Sequence, residues 1–428
     1  MADSAGAPEA GAVAGSHLGL LSSAFFASSG LGLLLLVVIA RWLTPADNAH
    51  FQAVWGLIFA FASVMGALEQ EVTRRATSAH LDGHRTPVGV VQSVLLATLA
   101  CVVVLGALLA TPQGRAVVQG SIAIVLLTLF AMVNFVVLIL SRGILLGRGA
   151  IRPYAALLAG EGALRLVVLG VLLASGLDGT VVWAVVATVG GSLVWVFVVV
   201  RVAREIDWSS RRDRWREVGG TVAALATANG LSALVLTGFP TVAATIVGNA
   251  ADLAVLFAVI TLARAPLALL APVQALTVPT VVRWSRDGDT RRISRALAQI
   301  AGGSAVVALA GAAVGYVLGP WAVALVLGAD YRPSAVMAAL VAGATCVMAG
   351  ALLQAAALVA LQRYWQLTAC WAVAIAGAAV VMLAPPWSPE DRGLGGFTVA
   401  SLAAFVATAV AVRLSVVAAD QGSEAGGH

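Results

Sequence analysis

Residues 201–217, RVAREIDWSSRRDRWRE, decide the fold, because six arginines stand there between two long apolar stretches. The stretch before them is Thr180–Val200, and the stretch after them is Val218–Val247. Each is close to the ~20 apolar residues that an α-helix needs to cross a bilayer. A short, basic loop between two such stretches predicts two membrane-spanning helices that are joined on one side of a membrane.

The same alternation of apolar runs and short gaps extends over the whole chain, in about twelve runs that we number from the amino terminus. Runs 1 to 6 are Leu18–Ala40, Phe51–Leu68, Val88–Ala110, Ala116–Leu140, Pro153–Ala174 and Thr180–Val200. Runs 7 to 12 are Val218–Val247, Asp252–Val282, Ala296–Leu318, Pro333–Leu361, Trp365–Ala384 and Leu394–Val417.

The composition agrees with a membrane protein and excludes a soluble domain. The chain is 61% hydrophobic and 11% charged, with a mean hydropathy of +0.98. Soluble domains have about 25% charged residues. The longest loop is too short to fold as a separate domain. The net charge of +5 comes from loop arginines and favours anionic membrane lipids as neighbours, not nucleic acid.

The arginines predict the orientation. All 25 basic residues are arginine, and about 19 lie in the even-numbered gaps and the final tail, against about 4 in the odd-numbered gaps. Gap 4, for example, receives Arg142, Arg148 and Arg152. Cytoplasmic loops are enriched in such residues. We therefore expect a multi-pass protein of the cytoplasmic membrane, with both termini in the cytoplasm.

The basic gap 6 divides the chain into two sets of six runs. We therefore predict an all-α, polytopic protein of about twelve helices in two six-helix lobes, residues 1–217 and 218–428, around a central cavity. Paired halves are how many transporters build a substrate site with alternating access. Run 7, with Pro240, and run 8, with Pro266, Pro272 and Pro279, are expected to be kinked.

Run 9 contains Gly311, Gly315 and Gly319, one small residue every four positions. Such a stripe permits close contact between helices. We expect it to pack within one subunit; the alternative is a dimer contact.

Charged side chains inside the apolar runs are candidates for a substrate site. Glu161 and Arg165 stand four residues apart in run 5, so they share one helix face. Arg264 lies in run 8, two residues before Pro266. A charge at mid-membrane costs at least ~2.5–3.5 kcal/mol, so each is expected to face protein or a cavity. The alternatives are a structural ion pair for Glu161–Arg165 and carbonyl partners for Arg264.

The amides of Asn134, Asn229 and Gln274 are weaker candidates, because a lone amide in a membrane helix usually joins two helices. No nucleophile, phosphate-binding or metal-binding motif is present in the sequence. We therefore expect no catalytic residue, no metal, no cofactor and no enzymatic activity. Without a phosphate-binding loop, uphill transport would need an ion gradient or a partner.

Four short segments resemble the polysaccharide (O-antigen-type) flippase family of the multidrug/oligosaccharidyl-lipid/polysaccharide exporter superfamily. They are Arg41-Trp42-Leu43-Thr44-Pro45 with Phe51, Arg142-Gly143 to Gly147 with Tyr154, Gly328-Ala329-Asp330-Tyr331 with Ala335, and the single Arg74. The chain departs from the family pattern at His50 and at Leu327.

The resemblance implies a flippase that moves a polyprenyl-diphosphate-linked oligosaccharide or polysaccharide precursor across the membrane by alternating access, through a cavity lined by helices 1, 2, 7 and 8. It adds Arg41 to the candidate substrate-binding residues Arg264, Arg165, Glu161, Asn229 and Gln274. Glycosyltransferases or a polymerase of the same pathway would be its partners. Two alternatives stay open: a multidrug-type small-molecule or ion antiporter of the same superfamily, and a membrane scaffold for glycan-assembly enzymes that transports nothing.

Overall fold

The computed structural model describes residues 7–209, 215–384 and 386–425 of the chain. Within these ranges, nine helices are long and apolar enough to cross a membrane. They are α1 (Ala7–Trp42), α2 (Pro45–Leu81), α3 (Val88–Ala110), α5 (Ile122–Gly147), α6 (Ile151–Ala174), α13 (Thr290–Leu327), α14 (Ala335–Ala360), α15 (Tyr364–Met382) and α16 (Pro389–Ala425). A short helix, α4 (Pro112–Val117), precedes α5. These helices match nine of the predicted runs, and the all-α, polytopic membrane fold is confirmed.

The other three runs are broken. Run 6 becomes α7 (Val181–Ser192), the 3₁₀ turn η1 (Leu193–Phe197) and α8 (Val199–Arg204). Run 7 becomes α9 (Trp215–Leu236) and α10 (Phe239–Val247), and run 8 becomes η2 (Ala251–Leu253), α11 (Ala254–Arg264), η3 (Ala265–Leu270) and α12 (Ala271–Arg286).

The expected irregularity of runs 7 and 8 is confirmed. The α9–α10 pair bends by 70° next to Gly238 and Pro240, and Pro266 lies inside η3. Proline lacks the N–H that would continue the helical hydrogen bonds. The break in run 6, which follows Gly190 and Gly191, was not predicted from the sequence.

Polar side chains fix where several helices begin. Thr44 accepts a hydrogen bond from the backbone N–H of Asp47 (3.2 Å) just before α2, and Ser334 accepts one from Met337 N (3.1 Å) at the start of α14. Such caps satisfy amides that have no partner inside the helix. The turn after run 1 thus leads directly into α2, whose first residue is Pro45, a position that proline favours.

Contacts divide the chain into two compact units. Unit 1 contains residues 1–36, 65–107 and 122–222, and unit 2 contains residues 37–64, 108–121 and 223–428. The division runs through α1 and α2. A boundary between two lobes at 217/218 stays a prediction.

In unit 2, the glycine stripe of α13 packs on α14. A β-carbon at Gly315 would lie 2.6 Å from Ala338 O, and one at Gly319 would lie 2.5 Å from Ala338 Cβ. A side chain at either position would force the helices apart. The prediction that the stripe packs within one subunit is confirmed.

In unit 1, three even-numbered gaps meet on one face. The two-residue strands β1 (Thr86–Pro87, gap 2) and β2 (Ile206–Asp207, gap 6) pair in parallel. Arg148 of gap 4 donates a hydrogen bond to His84 O (2.7 Å) and forms an ion pair with Glu205. Loops that touch in this way lie on the same side of the membrane, as the arginine pattern requires of even-numbered gaps. In gap 6, Arg211, Arg212 and Arg214 lie outside the described residues.

We expect this face to be cytoplasmic, which labelling of single cysteines tests. In a variant without Cys101, Cys346 and Cys370, a cysteine at His84 should resist an impermeant maleimide added outside the cell. A cysteine at Asp330, in gap 9, should react with it. Both positions are exposed, whereas Asn48 of gap 1 is buried and unsuitable. Permeabilised cells supply the control, in which both positions should react. Labelling at 84 but not at 330 in intact cells would invert the topology.

Candidate functional site

A buried cluster of charges lies in unit 1, with Glu161 of α6 at its centre. Glu161 and Arg165 are each 5% exposed. Arg165 Nη2 donates to Glu161 Oε1, and Arg142 Nη2 donates to Glu161 Oε2. The predicted ion pair between Glu161 and Arg165 is confirmed, and a second guanidinium joins it. The pair satisfies the alternative that the sequence left open, a structural ion pair inside the bundle.

The assignment of Arg142 to the loop of gap 4 is wrong. Helix α5 continues through Gly147, and the Arg142 side chain inside it is only 12% exposed. The reason is close packing between α5 and α2. A β-carbon at Gly143 would lie 2.7 Å from Val72 Cγ1, so this glycine lets the two helices touch. Moving Arg142 inside leaves the excess of arginine in the even-numbered gaps almost unchanged.

A second carboxylate, that of Glu69, completes the cluster, and it was not predicted from the sequence. Tyr154 Oη of α6 donates to Glu69 Oε1 of α2 at 3.3 Å. Glu69 also lies within electrostatic range of Arg142. The formal charges of Glu69, Arg142, Glu161 and Arg165 therefore sum to zero. A self-compensated cluster of this kind joins α2, α5 and α6 and attracts neither anions nor cations strongly.

Arg165 also anchors the broken run 6. Its Nε donates to Thr188 O of α7 at 3.2 Å, and its guanidinium lies 5.9 Å from the centre of the Phe135 ring. A β-carbon at Gly191 would collide with Arg165 Cγ and would lie 2.5 Å from Glu161 O. Gly191 therefore leaves the space in which Arg165 reaches Glu161.

Gly191→Ala is expected to destabilise the protein by about 1–3 kcal/mol, because the added methyl overpacks the Arg165 side chain. The measurement is the midpoint of thermal unfolding in detergent. Gly170→Ala in α6 is the matched control, since no atom lies within 4 Å of its β-carbon position. That change should leave stability equal or slightly higher, as alanine favours the helix by up to about 1 kcal/mol. Equal midpoints for the two variants would contradict the packing argument.

Asn134 joins two elements of unit 1. Its Nδ2 donates to Phe130 O (2.8 Å), and Trp195 Nε1 of η1 donates to Asn134 Oδ1 (3.1 Å). The amide thus connects α5 to η1, the role that is usual for a lone amide in a membrane helix.

In unit 2, Arg264 is the last residue of α11, directly before η3. Its side chain is half-buried. Nη2 donates to Val235 O near the end of α9 (3.3 Å), and the guanidinium lies 5.5 Å from the centre of the Phe397 ring. No acidic residue pairs with it in the part of the chain that the structure describes. The partner is a carbonyl at the end of a helix interrupted by the α9–α10 bend, where such groups lack helical partners.

Among the described residues, most of the donors of Arg264 have no hydrogen-bond partner. A guanidinium has five N–H donors in a planar fork. One of them reaches a neutral carbonyl at the long end of the hydrogen-bond range. The aromatic ring attracts the positive charge without using a donor. Arg264 can therefore receive an anionic oxygen without breaking an ion pair.

The other candidates lie elsewhere in unit 2. Arg41 is exposed and caps α13: its Nε donates to Val326 O at 2.8 Å, and its Nη2 donates to Leu325 O. Asn229 is half-buried in α9, and its backbone carbonyl accepts from Ser232 Oγ (2.9 Å). Gln274 belongs to α12, and its side chain lies outside the described residues.

Two of the segments that resemble flippases contact each other. Beside the Arg41 cap, Tyr331 Oη donates to Ala40 O at 3.4 Å. Burial raises the pKa of Tyr331 to about 12, so its hydroxyl keeps the proton that it donates. The turn after α1 is thus held against the turn that follows α13.

Two known sequences are similar to this chain at moderate identity. An uncharacterized protein of Mycobacterium tuberculosis is 28% identical over 396 residues, 88% of this chain and 87% of the relative. A second uncharacterized protein of that species is 26% identical over 371 residues, 82% of this chain and 81% of the relative. No family model matches the chain.

Solved structures show the fold. An inward-facing multidrug resistance transporter of the MATE family, in the MOP superfamily, superimposes with a TM-score of 0.68 at 13% identity, covering 94% of this chain and 96% of that chain. An outward-facing MATE transporter gives 0.60 at 16% identity, with the same coverage. A MOP superfamily transporter from Pyrococcus furiosus gives 0.62 at 16% identity, also with 94% and 96% coverage. This chain is a multi-pass membrane protein with the fold of MATE transporters.

Proposed function

We propose that the protein is a flippase that moves a polyprenyl-diphosphate-linked oligosaccharide across the cytoplasmic membrane by alternating access. The observation that carries the proposal is Arg264, a half-buried cation at the end of the apolar helix α11, which has no acidic partner in the described chain. A diphosphate is the anionic group that matches its planar fork of donors. The transporter fold supplies the framework for moving such a substrate.

The two charged sites differ in a way that favours an anionic substrate. The unit 1 cluster neutralises itself, whereas Arg264 has a carbonyl and an aromatic ring around its charge. An export site for cationic drugs would instead be expected to present free carboxylates. The Pyrococcus furiosus transporter is described as having a binding pocket of reverse polarity that suggests a different function. A reversal of the same kind would adapt this fold to an anion.

Multidrug transport is the second candidate, because the MATE structures that the chain resembles include multidrug resistance transporters. Glu69 and Glu161 are the carboxylates that it would use. In the unit 1 cluster, however, both carboxylates face arginine, and Glu161 binds two of them. A cationic drug would have to displace a guanidinium to reach either acid, which disfavours this use of the cluster.

A binding experiment separates the two candidates. The purified protein in lipid nanodiscs is titrated with polyprenyl diphosphate, inorganic diphosphate and a lipophilic cationic dye. The flippase proposal predicts saturable binding of polyprenyl diphosphate that weakens as salt rises, and no competition by the dye. Saturable dye binding without diphosphate binding would support multidrug transport. Binding of neither ligand would favour the scaffold. Glycosyltransferases or a polymerase, the expected partners, would then be sought by affinity purification of the full chain.

A further inference from the structure

An apolar groove lies in unit 2, on the flank of the broken helix that carries Arg264. Its volume is about 420 Å³. α11 and η3 form one wall with a stripe of six residues at helical spacing: Val259, Leu262, Ala263, Pro266, Leu267 and Leu270. α13 and α14 form the other walls. Arg264 itself contacts α9 and α16, so it lies on the side of the broken helix that faces away from the groove.

Small residues create the groove. Gly311, Gly315 and Gly319 of α13 and Ala338 and Ala342 of α14 line its floor, where the two helices pack backbone to backbone. The larger residues stand at its rim. Val307, Val314 and Leu318 line the groove and are 54%, 58% and 50% exposed. Since α13 is membrane-spanning, this open rim faces the lipid bilayer.

The described lining residues are apolar except for the Thr345 hydroxyl and the Cys346 thiol. Thr345 is the lining residue with a hydroxyl group, and it donates to Val341 O of its own helix at 2.8 Å. An apolar cavity without free polar partners stays dry. A hydrocarbon chain is therefore the ligand that fits these walls. The stripe that lines the groove and Arg264 belong to the same broken helix, α11 with η3.

We propose that the groove holds the isoprenoid tail of the transported lipid, while Arg264 on the opposite flank of the same helix holds the anionic head. This inference rests on the proposed function. Because α11 is interrupted at η3, the tail and head sites border one weak point of the helix. A substrate that occupies both sites has its tail on the lipid-facing flank of the broken helix and its head on the flank that carries Arg264.

Photo-cross-linking tests the groove. The full-length protein is placed in nanodiscs of phosphatidylethanolamine and phosphatidylglycerol with a polyprenyl diphosphate that carries a diazirine in its tail. After illumination, labelled peptides are mapped. We expect labels on the groove faces of α11–η3, α13 and α14.

Filling the groove provides the matched comparison. Ala322→Trp puts an indole on the α13 wall, and Ala310→Trp puts the same group on an exposed position of α13 that does not line the groove. Ala322→Trp should reduce labelling about tenfold, as the loss of two methylene contacts would. Ala310→Trp should not. Ala322→Leu, a smaller filler, serves if the tryptophan variant fails to fold, and the unfolding midpoint is measured for each variant.

Competition distinguishes the outcomes. An unlabelled polyprenol should displace the probe, and added phosphatidylglycerol should not. Uniform labelling of the lipid-facing helices, equal labelling in the two tryptophan variants, or equal displacement by phosphatidylglycerol would each overturn the groove assignment. A failure of the proposed function looks different. Labelling of the groove would persist, but it would be equally strong for a diazirine-bearing polyprenol without diphosphate and would be unaffected by Arg264→Ala.

Discussion

Glu161→Gln is expected to destabilise the folded protein by about 3–5 kcal/mol, the cost of leaving a buried charge without its partner. Glu161 accepts from both Arg142 and Arg165, so one substitution removes the anion from two guanidinium groups. Arg165→Gln should be milder, because Arg142 still neutralises Glu161. The measurements are the monodisperse yield and the midpoint of thermal unfolding in detergent.

The double variant Glu161→Gln, Arg165→Gln decides whether the residues act as a unit. It should be more stable than Glu161→Gln alone, since the remaining Arg142 can face Glu69. Glu205→Gln is the matched control, because it breaks a more exposed ion pair with Arg148. The Glu205 side chain is 31% exposed and the Arg148 side chain is 19% exposed. That pair should contribute no more than about 1 kcal/mol. Additive losses in the double variant would show that Glu161 and Arg165 contribute separately.

Most of the fold could be predicted from periodicity and charge. Nine runs correspond to nine helices of the described chain because continuous apolar stretches of sufficient length have few alternatives in a membrane. The breaks in runs 7 and 8 were predictable, because Pro240 and Pro266 cannot continue the hydrogen-bond ladder. The break in run 6 has a weaker sequence signature. Glycines such as Gly190 and Gly191 are common inside membrane helices, so they do not by themselves predict a break. The role of Gly191 becomes evident only in the structure, where Arg165 packs against it.

The site was harder to predict because its partners are distant in sequence. The i, i+4 spacing identifies Glu161 with Arg165, but nothing local connects them to Arg142, 19 residues before Glu161. Run 4 was predicted to end at Leu140, because an arginine directly after an apolar stretch is typical of a loop. Glu69 pairs across 85 positions with Tyr154, and no single-sequence pattern carries that information. The groove was not predicted, although the glycine stripe of α13 that lines its floor was recognised in the sequence as a site of close packing.

Arg264→Ala is expected to reduce substrate affinity about ten- to a hundredfold and to nearly abolish transport at equal protein level. A charge-assisted contact to a diphosphate contributes about 1.5–3 kcal/mol, which corresponds to that range. Arg264→Lys retains the charge but loses the planar fork, so it should be partly active. The readouts are complementation of a flippase-deficient host and binding of polyprenyl diphosphate to the purified variants.

Two controls separate substrate binding from folding. Arg264 also donates to Val235 O, so its removal could loosen the end of α9. Arg264→Gln keeps an N–H donor for that carbonyl without the charge; it should fold normally and still bind polyprenyl diphosphate poorly. Arg413→Ala removes an exposed arginine from α16 and should leave binding unchanged. Because the interaction with diphosphate is ionic, the wild-type affinity should fall as salt rises, and that of Arg264→Gln should change little. Full export by Arg264→Ala at equal expression would refute the anion-binding role and would favour the scaffold.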